Sequence, residues 1–393
     1  MNNPLSKYSL DELENLKELD LSNQQLYTIP KEVFQCKRLE ELNLRNNELR
    51  RLLPQIGQLK HLKNLFLSYN KLSQLPAEIG QLKRIKHIRI GHNSLTQLPV
   101  QIGQLKQLEN FDIKNNQISI SPPEFGQLRK LKTFFASNNK ISQIPPQIAQ
   151  LNKIEILSLG NNQISLIPPE IEYLKKLKLF NIGHNQLTEI PPQIGKLKQI
   201  DNLDISNNQI IIIPAEIGKL KKLRTFNASA NSITQLSSEI KNLKNIWTLN
   251  LSDNRLREFP DVLWQLPQLS KLNLSQNNLP QLPSKIGQLN QLESLDINNN
   301  RITELPIEIG QLIQLKAFNF EKNQISHLPS EIGQLTQLKH LSLLGMKALR
   351  SLPVELGQLQ RLKIIFLDKK HKLPESELNK MEWLLPNTYI ELQ

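Results

Sequence analysis

The sequence predicts an α/β solenoid, with a parallel sheet on its concave side and short helices or turns on its convex side. An asparagine recurs every 23 residues through thirteen successive repeats, within a constant apolar frame that residues 62–84 show best. A single repeat buries too few apolar side chains to fold alone, so neighbouring repeats must stack into one continuous core. The recurring asparagines are Asn47, Asn70, Asn93, Asn116, Asn139, Asn162, Asn185, Asn208, Asn231, Asn254, Asn277, Asn300 and Asn323.

Each part of the repeat predicts one local structure. Alternating apolar residues, such as Leu65 and Leu67, predict a short strand with one face inward. A buried asparagine turns the chain and bonds backbone groups of neighbouring coils. Proline is suited to starting a helical turn and glycine to ending one. Where alanine replaces a core leucine, as at Ala136 and Ala228, a phenylalanine two residues earlier conserves the core volume.

Written out, the frame is L-x-x-L-x-L-x-x-N-x-L-x-x-L-P-x-x-I-G-x-L-x-x, which resembles the leucine-rich repeat family over residues 16–367. Its L-P-x-x-I-G-x-L half is similar to Ras-suppressor-like, scribble-like and plant intracellular Ras-group-related repeats, whose members are binding scaffolds. The segment 384–387, Leu-Leu-Pro-Asn followed by a short strand, resembles the closing segment of bacterial repeat proteins, including those of spirochaetes.

The period also predicts the domain organisation. Residues 1–15 are interpreted as a half-repeat N-terminal cap, because Ser9 and Glu12 form a capping-box pattern and Leu10 and Leu13 fall on core positions. Residues 16–367 hold fifteen repeats and a partial sixteenth. Residues 368–393 are interpreted as a C-terminal cap, with a helix over 376–385 and a strand over 388–392. In the irregular repeats ten and eleven, Trp247 and Trp264 are interpreted as local packing residues.

Composition excludes several classes of protein. Lys and Arg number 49 against 36 Asp and Glu, a formal charge of +13. The single cysteine, Cys36, excludes an intrachain disulfide, and no apolar run is long enough to span a membrane. The segment 1–7 lacks a basic start followed by an apolar core, so no Sec signal peptide is recognised. The default expectation is a cytoplasmic protein, with export by a non-Sec route as the alternative.

No motif in the sequence predicts catalysis. Phosphate-binding glycine loops, H-E-x-x-H and G-x-S-x-G are all absent, and Cys36 replaces a core leucine as a buried thiol. His87, His92 and His184 give no three-ligand arrangement, so we expect neither a metal site nor a cofactor. The sequence therefore predicts a protein that is not an enzyme.

A basic ridge is predicted along one side of the solenoid. It consists of the residue pairs between the convex turn and the next strand, which hold one or two Lys or Arg in each of the first ten repeats and none in repeats eleven to fourteen. No aromatic residues interleave with it, which argues against a specific nucleic-acid partner. In the first eight repeats the ridge is Lys37, Arg38, Lys60, His61, Lys83, Arg84, Lys106, Gln107, Arg129, Lys130, Asn152, Lys153, Lys175, Lys176, Lys198 and Gln199.

The concave face carries the candidate partner-binding residues. Its outward strand positions are mainly Asn, Asp, Ser and Thr, so exposed aromatic, apolar and Arg residues stand out as candidate hot spots. One group on repeats three and four is Phe66, Tyr69, His87 and Arg89, with His92 beside it. A second group on repeats six to eight is Phe135, Ile156 and Leu179, which we expect to share one exposed patch.

These residues predict a non-catalytic scaffold that binds a protein partner on the concave face, as an adaptor, receptor or effector. The family resemblance implies a small GTPase or another signalling protein as partner, and we expect a monomer. Two alternatives stay open. One is the regulatory or targeting region of a signalling enzyme, and the other is an anion-surface binder that acts through the basic ridge. Steep salt dependence would distinguish ridge binding from an apolar concave contact.

Overall fold

The structure is a computed structural model that describes residues 5, 8–120, 122–369 and 373–392. The chain divides into two compact units, Met1–Asn202 (unit 1) and Leu203–Gln393 (unit 2). Parts of both predicted caps, residues 1–4, 6, 7, 370–372 and 393, lie outside the described residues. The predicted boundaries of the caps stay predictions.

Unit 1 begins with a short helix, α1 (Leu10–Asn15), after which each repeat supplies a three-residue strand and a five-residue 3₁₀ turn. Strands of successive repeats pair in parallel. The strands are β1 (Glu18–Asp20), β2 (Glu41–Asn43), β3 (Asn64–Phe66), β4 (His87–Arg89), β5 (Asn110–Asp112), β6 (Thr133–Phe135), β7 (Ile156–Ser158), β8 (Leu179–Asn181) and β9 (Asn202–Asp204), which begins at the last residue of the unit. The 3₁₀ turns are Lys31–Gln35, Pro54–Gln58, Ala77–Gln81, Val100–Gln104, Pro123–Gln127, Pro146–Gln150, Pro169–Tyr173 and Pro192–Lys196.

Unit 2 continues the same alternation and ends on a helix and a strand. The helix α2 (Glu375–Leu384) precedes β17 (Tyr389–Leu392), which pairs in parallel with β16, so the predicted closing helix and strand are confirmed. The strands are β10 (Thr225–Asn227), β11 (Thr248–Asn250), β12 (Lys271–Asn273), β13 (Ser294–Asp296), β14 (Ala317–Asn319), β15 (His340–Ser342), β16 (Ile364–Leu367) and β17. The 3₁₀ turns are Ala215–Lys219, Ser238–Asn242, Asp261–Gln265, Ser284–Gln288, Ile307–Gln311, Ser330–Gln334 and Val354–Gln358.

The repeated asparagines join each coil to the one before it, as predicted. The Asn162 amide nitrogen donates to the carbonyl oxygens of Ala136 at 3.0 Å and Leu159 at 2.9 Å. Its side-chain oxygen accepts from the backbone N–H of Ile141 at 3.0 Å. Asn300 makes the equivalent bonds in unit 2. Each buried amide thus satisfies backbone groups that the short strands leave unpaired.

The apolar frame forms the core of each unit. Every middle residue of β1 to β8 is buried, and the alanine positions are compensated as predicted: Phe134 and Ala136 are both buried, as are Phe226 and Ala228. The Phe134 ring lies 4.5 Å from that of Phe125, centroid to centroid. The predicted fold class, parallel strands on one side and short turns on the other, is confirmed.

At the N-terminal end, the capping box is present, and one core assignment is wrong. The Ser9 hydroxyl accepts from the Glu12 backbone N–H, and the Glu12 carboxylate accepts from the Ser9 N–H at 2.8 Å. Leu13 is buried, but Leu10 is 59% exposed. Leu10 is the first residue of α1 and faces solvent, whereas Leu5 is buried instead.

The recurring frame glycine does not end the convex turn, which corrects the sequence interpretation. Gly103 is the fourth residue of a five-residue turn, and an added Cβ there would lie 2.5 Å from the backbone oxygen of Glu124 in the next turn. At Gly218 in unit 2 an added Cβ would clash with the backbone oxygen of Glu239. A Cβ at these two positions would crowd the next turn, a contact between repeats that local turn chemistry does not reveal. Other turns hold Ala149, Glu172 or Lys241 at the same position.

Trp264 occupies this glycine position in unit 2. Its ring stacks on Phe259, with centroids 4.4 Å apart and an interplanar angle of 6°, and its Nε1 donates to Asp261 Oδ1 at 3.2 Å. The interpretation of Trp264 as a local packing residue is therefore confirmed. A cavity of about 930 Å³ lies against Phe259, Asp261 and Val262. Trp247, by contrast, is 46% exposed.

Candidate partner-binding surface

Two rows of side chains cover the face of the unit 1 sheet that points away from the core, which is the predicted concave face. Strand side chains alternate, so the first and third residues of each strand point outward while the second is buried. Row one runs through Asn64, His87, Asn110, Thr133, Ile156 and Leu179. Row two runs through Phe66, Arg89, Asp112, Phe135, Ser158 and Asn181.

Row two joins the two predicted groups of hot-spot residues. Phe66 is the register partner of Arg89, which pairs with Asp112, which pairs in turn with Phe135. The Arg89 guanidinium carbon lies 5.3 Å from the centroid of the Phe66 ring. Among the described residues, no carboxylate lies within ion-pair distance of Arg89. The Phe66 ring therefore orients an exposed guanidinium whose charge can bind a ligand.

Tyr69 and His92 form a second aromatic feature just beyond the ends of β3 and β4. Their rings stack with centroids 4.1 Å apart at 9°, and the Arg45 guanidinium carbon lies 5.1 Å from the Tyr69 centroid. Both residues adopt a left-handed backbone, with φ of 59° and 57°. Several repeats of unit 1 place asparagine at this position, for example Asn115, and asparagine tolerates that conformation better than tyrosine does.

His87 begins a hydrogen-bonded chain along row one. Its Nδ1 lies 2.6 Å from Asn110 Nδ2, and the Thr133 hydroxyl donates to Asn110 Oδ1 at 2.5 Å. Asn110 Nδ2 donates to His87 when the neutral imidazole carries its proton on Nε2. Burial lowers the pKa of His87 from its ordinary value of 6.5, and the Arg89 cation lowers it further. The pKa of His92 is lowered by burial and by the Lys114 cation.

Ile156 and Leu179 lie beyond Thr133 in row one, as direct register partners on β7 and β8. Both are half-buried, whereas Phe135 is 36% exposed. Phe135 belongs to row two, where its partner is Ser158. The three residues therefore share a face, and Phe135 in row two meets Ile156 in row one diagonally across β6 and β7. The expected shared patch stays a prediction.

A groove of about 370 Å³ lies between the two candidate groups. It is lined by Arg89, Asp112, Thr133 and Phe135, with Lys114 at its edge. Lys114 Nζ lies 3.8 Å from Asp112 Oδ2. An apolar ring, a guanidinium and a carboxylate thus face the same groove, which suits a partner side chain with both apolar and polar groups.

The sequence did not predict two features of this surface. Arg45 was not recognised as a member, because its contact with Tyr69 joins different repeats. The left-handed backbone of Tyr69 and His92 was also missed, although the period aligns both with positions that hold asparagine elsewhere. Replacement of a favourable asparagine by an aromatic residue was the available signal.

The described residues contain no group of three His, Cys, Asp or Glu side chains that could hold a metal ion. Burial raises the pKa of the Cys36 thiol, which disfavours the reactive thiolate. Within the same residues, no helix is long and apolar enough to cross a membrane.

Family models match most of the chain. The model described as "Leucine rich repeat" matches residues 14–72, 60–118, 152–210, 175–233 and 221–279. "Leucine-rich repeat region" matches 261–380, and "Leucine Rich repeats (2 copies)" matches 129–173. Among curated proteins, none matches the chain significantly.

The similar solved structures are also leucine-rich repeat proteins. A leucine-rich repeat protein of Leptospira interrogans is 37% identical, covers 97% of each chain and superposes with a TM-score of 0.91. The ectodomain of the Arabidopsis thaliana receptor kinase GASSHO1/SCHENGEN3 is 25% identical, with a TM-score of 0.61 over 96% of this chain and 55% of that one.

The functional domain of InlJ from Listeria monocytogenes is 21% identical, with a TM-score of 0.73 over 92% of this chain and 76% of that one, and shows the fold alone. Such folds are typically protein-interaction scaffolds or receptors. The repeat frame, the asparagine bonds, the family models and the Leptospira structure agree, and this chain belongs to the leucine-rich repeat family.

Proposed function

We propose that this protein is a non-catalytic binding protein whose partner docks on the outward face of unit 1, across both rows from β3 to β8. The observation that carries the proposal is the unbroken register of Phe66, Arg89, Asp112 and Phe135, with Tyr69 beside it. Exposed aromatic and guanidinium groups are the residue types that dominate binding energy in protein interfaces.

Folding alone does not account for these residues. Row-two positions in unit 2 hold small polar residues such as Asn227, Asn250 and Asn273, and the same strand geometry forms there. The left-handed conformation of Tyr69 and His92 adds a conformational cost that asparagine would reduce.

The similar solved structures include complexes. The GASSHO1/SCHENGEN3 ectodomain is in complex with CASPARIAN STRIP INTEGRITY FACTOR 2, and another 25% identical structure is PEPR1–AtPEP1. These complexes support ligand binding by the fold, and the choice of surface in this protein rests on its own rows of side chains.

The partner class that we propose is a small GTPase or another signalling protein, bound by a monomeric chain in the cytoplasm. The repeat resemblance supports this class, and the candidate residues extend over the parallel strands β3 to β8. Light scattering on the purified chain tests the monomer, and a mass well above 45.3 kDa would contradict it.

The test is capture of a partner by the immobilised chain from a lysate of its source organism, with identification by mass spectrometry and measurement of Kd on purified components. The site variant is Phe135→Ala with Leu179→Ser. The matched control is Thr225→Ala with Thr248→Ala, two row-one positions of unit 2. We expect the site variant to weaken binding by at least about 2 kcal/mol, roughly 30-fold.

The control should bind like the wild type, and both variants should keep the thermal midpoint. Equal binding by the site variant would overturn the assignment of the surface. Loss of binding together with loss of folding would show that Phe135 and Leu179 act in packing. A captured partner that binds the control variant poorly would move the site to unit 2.

A further inference from the structure

The basic ridge of unit 1 forms an exposed row of cations on a different side of the repeats from the partner-binding surface. Its residues lie in the turns that link each 3₁₀ turn to the next strand, and every Lys and Arg among them is exposed. Rows one and two lie on the strands themselves. A ligand on the ridge would therefore leave Phe66 and Phe135 accessible.

The ridge cations are not neutralised by carboxylates. From Lys37 to Lys176, no ridge Lys or Arg forms an ion pair with any described residue. Lysines instead donate to neutral glutamines of the next repeat: Lys83 Nζ to Gln104 Oε1 at 2.9 Å and Lys106 Nζ to Gln127 Oε1 at 2.7 Å. A carboxamide acceptor orients the ammonium group and leaves its net charge in place.

An adjacent row of the same unit shows the opposite arrangement. Lys63 pairs with Glu40 at 2.6 Å, Lys132 with Glu109 at 2.6 Å, and Lys178 with Glu155 at 2.7 Å. Both rows have the same 23-residue spacing, so the repeat geometry permits cross-repeat ion pairs. The lack of acidic residues is therefore a property of the ridge sequence, not a limit of the fold.

At the fourth and fifth repeats, three ridge cations share one groove. Lys106, Arg129 and Lys130 line a groove of about 740 Å³, which Glu124 also lines. The Glu124 Oε2 is buried without a hydrogen-bond partner, and this one carboxylate opposes three cations. Burial and repulsion by Arg129 and Lys83 lower the pKa of Lys106, as expected where like charges crowd.

We propose that the ridge of unit 1 is an electrostatic contact for an anionic membrane surface. Closely spaced phosphate groups on a bilayer would neutralise the row without an aromatic platform, which single-stranded nucleic acid requires and the ridge lacks. Each Lys or Arg near such a surface raises the association constant about fivefold. A bound molecule would keep its partner-binding face exposed.

Vesicle sedimentation with the full chain tests this proposal. The probes are vesicles of phosphatidylcholine with about 30% phosphatidylglycerol and vesicles of phosphatidylcholine alone, at about 0.05 M and about 0.5 M NaCl. The ridge variant is Lys106→Gln with Arg129→Gln and Lys130→Gln. The matched control, Lys31→Gln with Arg51→Gln and Lys140→Gln, removes the same charge from exposed positions off the ridge. A third variant, Lys106→Arg with Lys130→Arg, keeps the ridge charge.

We expect binding to the anionic vesicles alone, abolished at high salt. The ridge variant should lose at least about tenfold in partition coefficient, the control less than about threefold, and the arginine variant should bind like the wild type. No binding, equal losses in ridge and control variants, or tighter binding to a 20-residue oligouridine would each overturn the proposal. Partner binding is measured separately, so either proposal can fail while the other stands.

Discussion

Tyr69→Asn should separate binding from folding, because the structure assigns tyrosine both a benefit and a cost at this position. The substitution removes the stack on His92 and the contact with the Arg45 guanidinium. Aromatic pairs contribute about 0.5–1.5 kcal/mol, and exposed cation–π contacts about 0.5–1 kcal/mol. Loss of these two contacts should therefore lower the free energy of unfolding by about 1–2.5 kcal/mol.

The gain comes from the backbone and from a new hydrogen bond. Tyr69 is left-handed at φ 59°, a conformation that costs an ordinary residue about 1–2 kcal/mol and asparagine less. Asparagines at the equivalent positions of repeats one and two bond each other, with Asn46 Nδ2 donating to Asn23 Oδ1 at 2.6 Å. An asparagine at 69 would extend that ladder, so the net change in unfolding free energy should stay within about 1 kcal/mol.

The assay pairs a thermal melt with partner affinity. We expect a midpoint within about 4 °C of the wild type and a loss in affinity of at least about 2 kcal/mol. Tyr27→Asn is the matched control, since Tyr27 is 51% exposed and lies outside both rows. A large fall in the midpoint would show that Tyr69 is a packing residue, and unchanged affinity would place it outside the contact.

The remaining predictions concern stability. Asn162→Ala should cost about 1–3 kcal/mol, because it leaves the Ile141 N–H and the Ala136 carbonyl without their side-chain partner; an unchanged denaturation midpoint would refute this role. Deleting residues 368–393 should cause aggregation or loss of cooperative unfolding, because β17 then no longer covers the edge of β16. An equally stable, soluble truncation would contradict the assignment of this segment as a cap. Acidification from about pH 7 through 6.5 should destabilise unit 1, because the pKa values of His87 and His92 are lower in the folded chain and the unfolded chain therefore binds protons first. The variant His87→Gln with His92→Asn should show a weaker dependence of unfolding free energy on pH. An equal dependence in that variant would disprove the prediction.

The sequence was sufficient for those features that repeat. Buried asparagines, three-residue strands and the compensation of Ala136 by Phe134 follow from the period, because each depends on contacts at a fixed separation. The split of Phe135 from Ile156 was also encoded, since position 158, one period after 135, holds serine.

Contacts between side chains or turns at different positions of the 23-residue repeat could not be predicted from the period. The close approach at Gly103 depends on the separation of adjacent convex turns, and the stack of Arg45 on Tyr69 depends on the rotamers of two long side chains. Neither quantity is visible in a one-dimensional pattern. The candidate surface was thus predicted residue by residue, whereas its geometry required the structure.

The asparagine bonds also impose an order on folding during synthesis. Asn162 supplies hydrogen bonds to residues 21 and 26 positions before it, so a repeat is completed by the repeat that follows it. A nascent chain must therefore extend by one further repeat before the previous coil acquires all its partners. At about 5–20 residues per second, that delay is on the order of one to five seconds for each repeat. The last repeat synthesised consequently lacks part of its hydrogen bonds throughout translation. Each repeat gains them only when the ribosome has synthesised the repeat that follows.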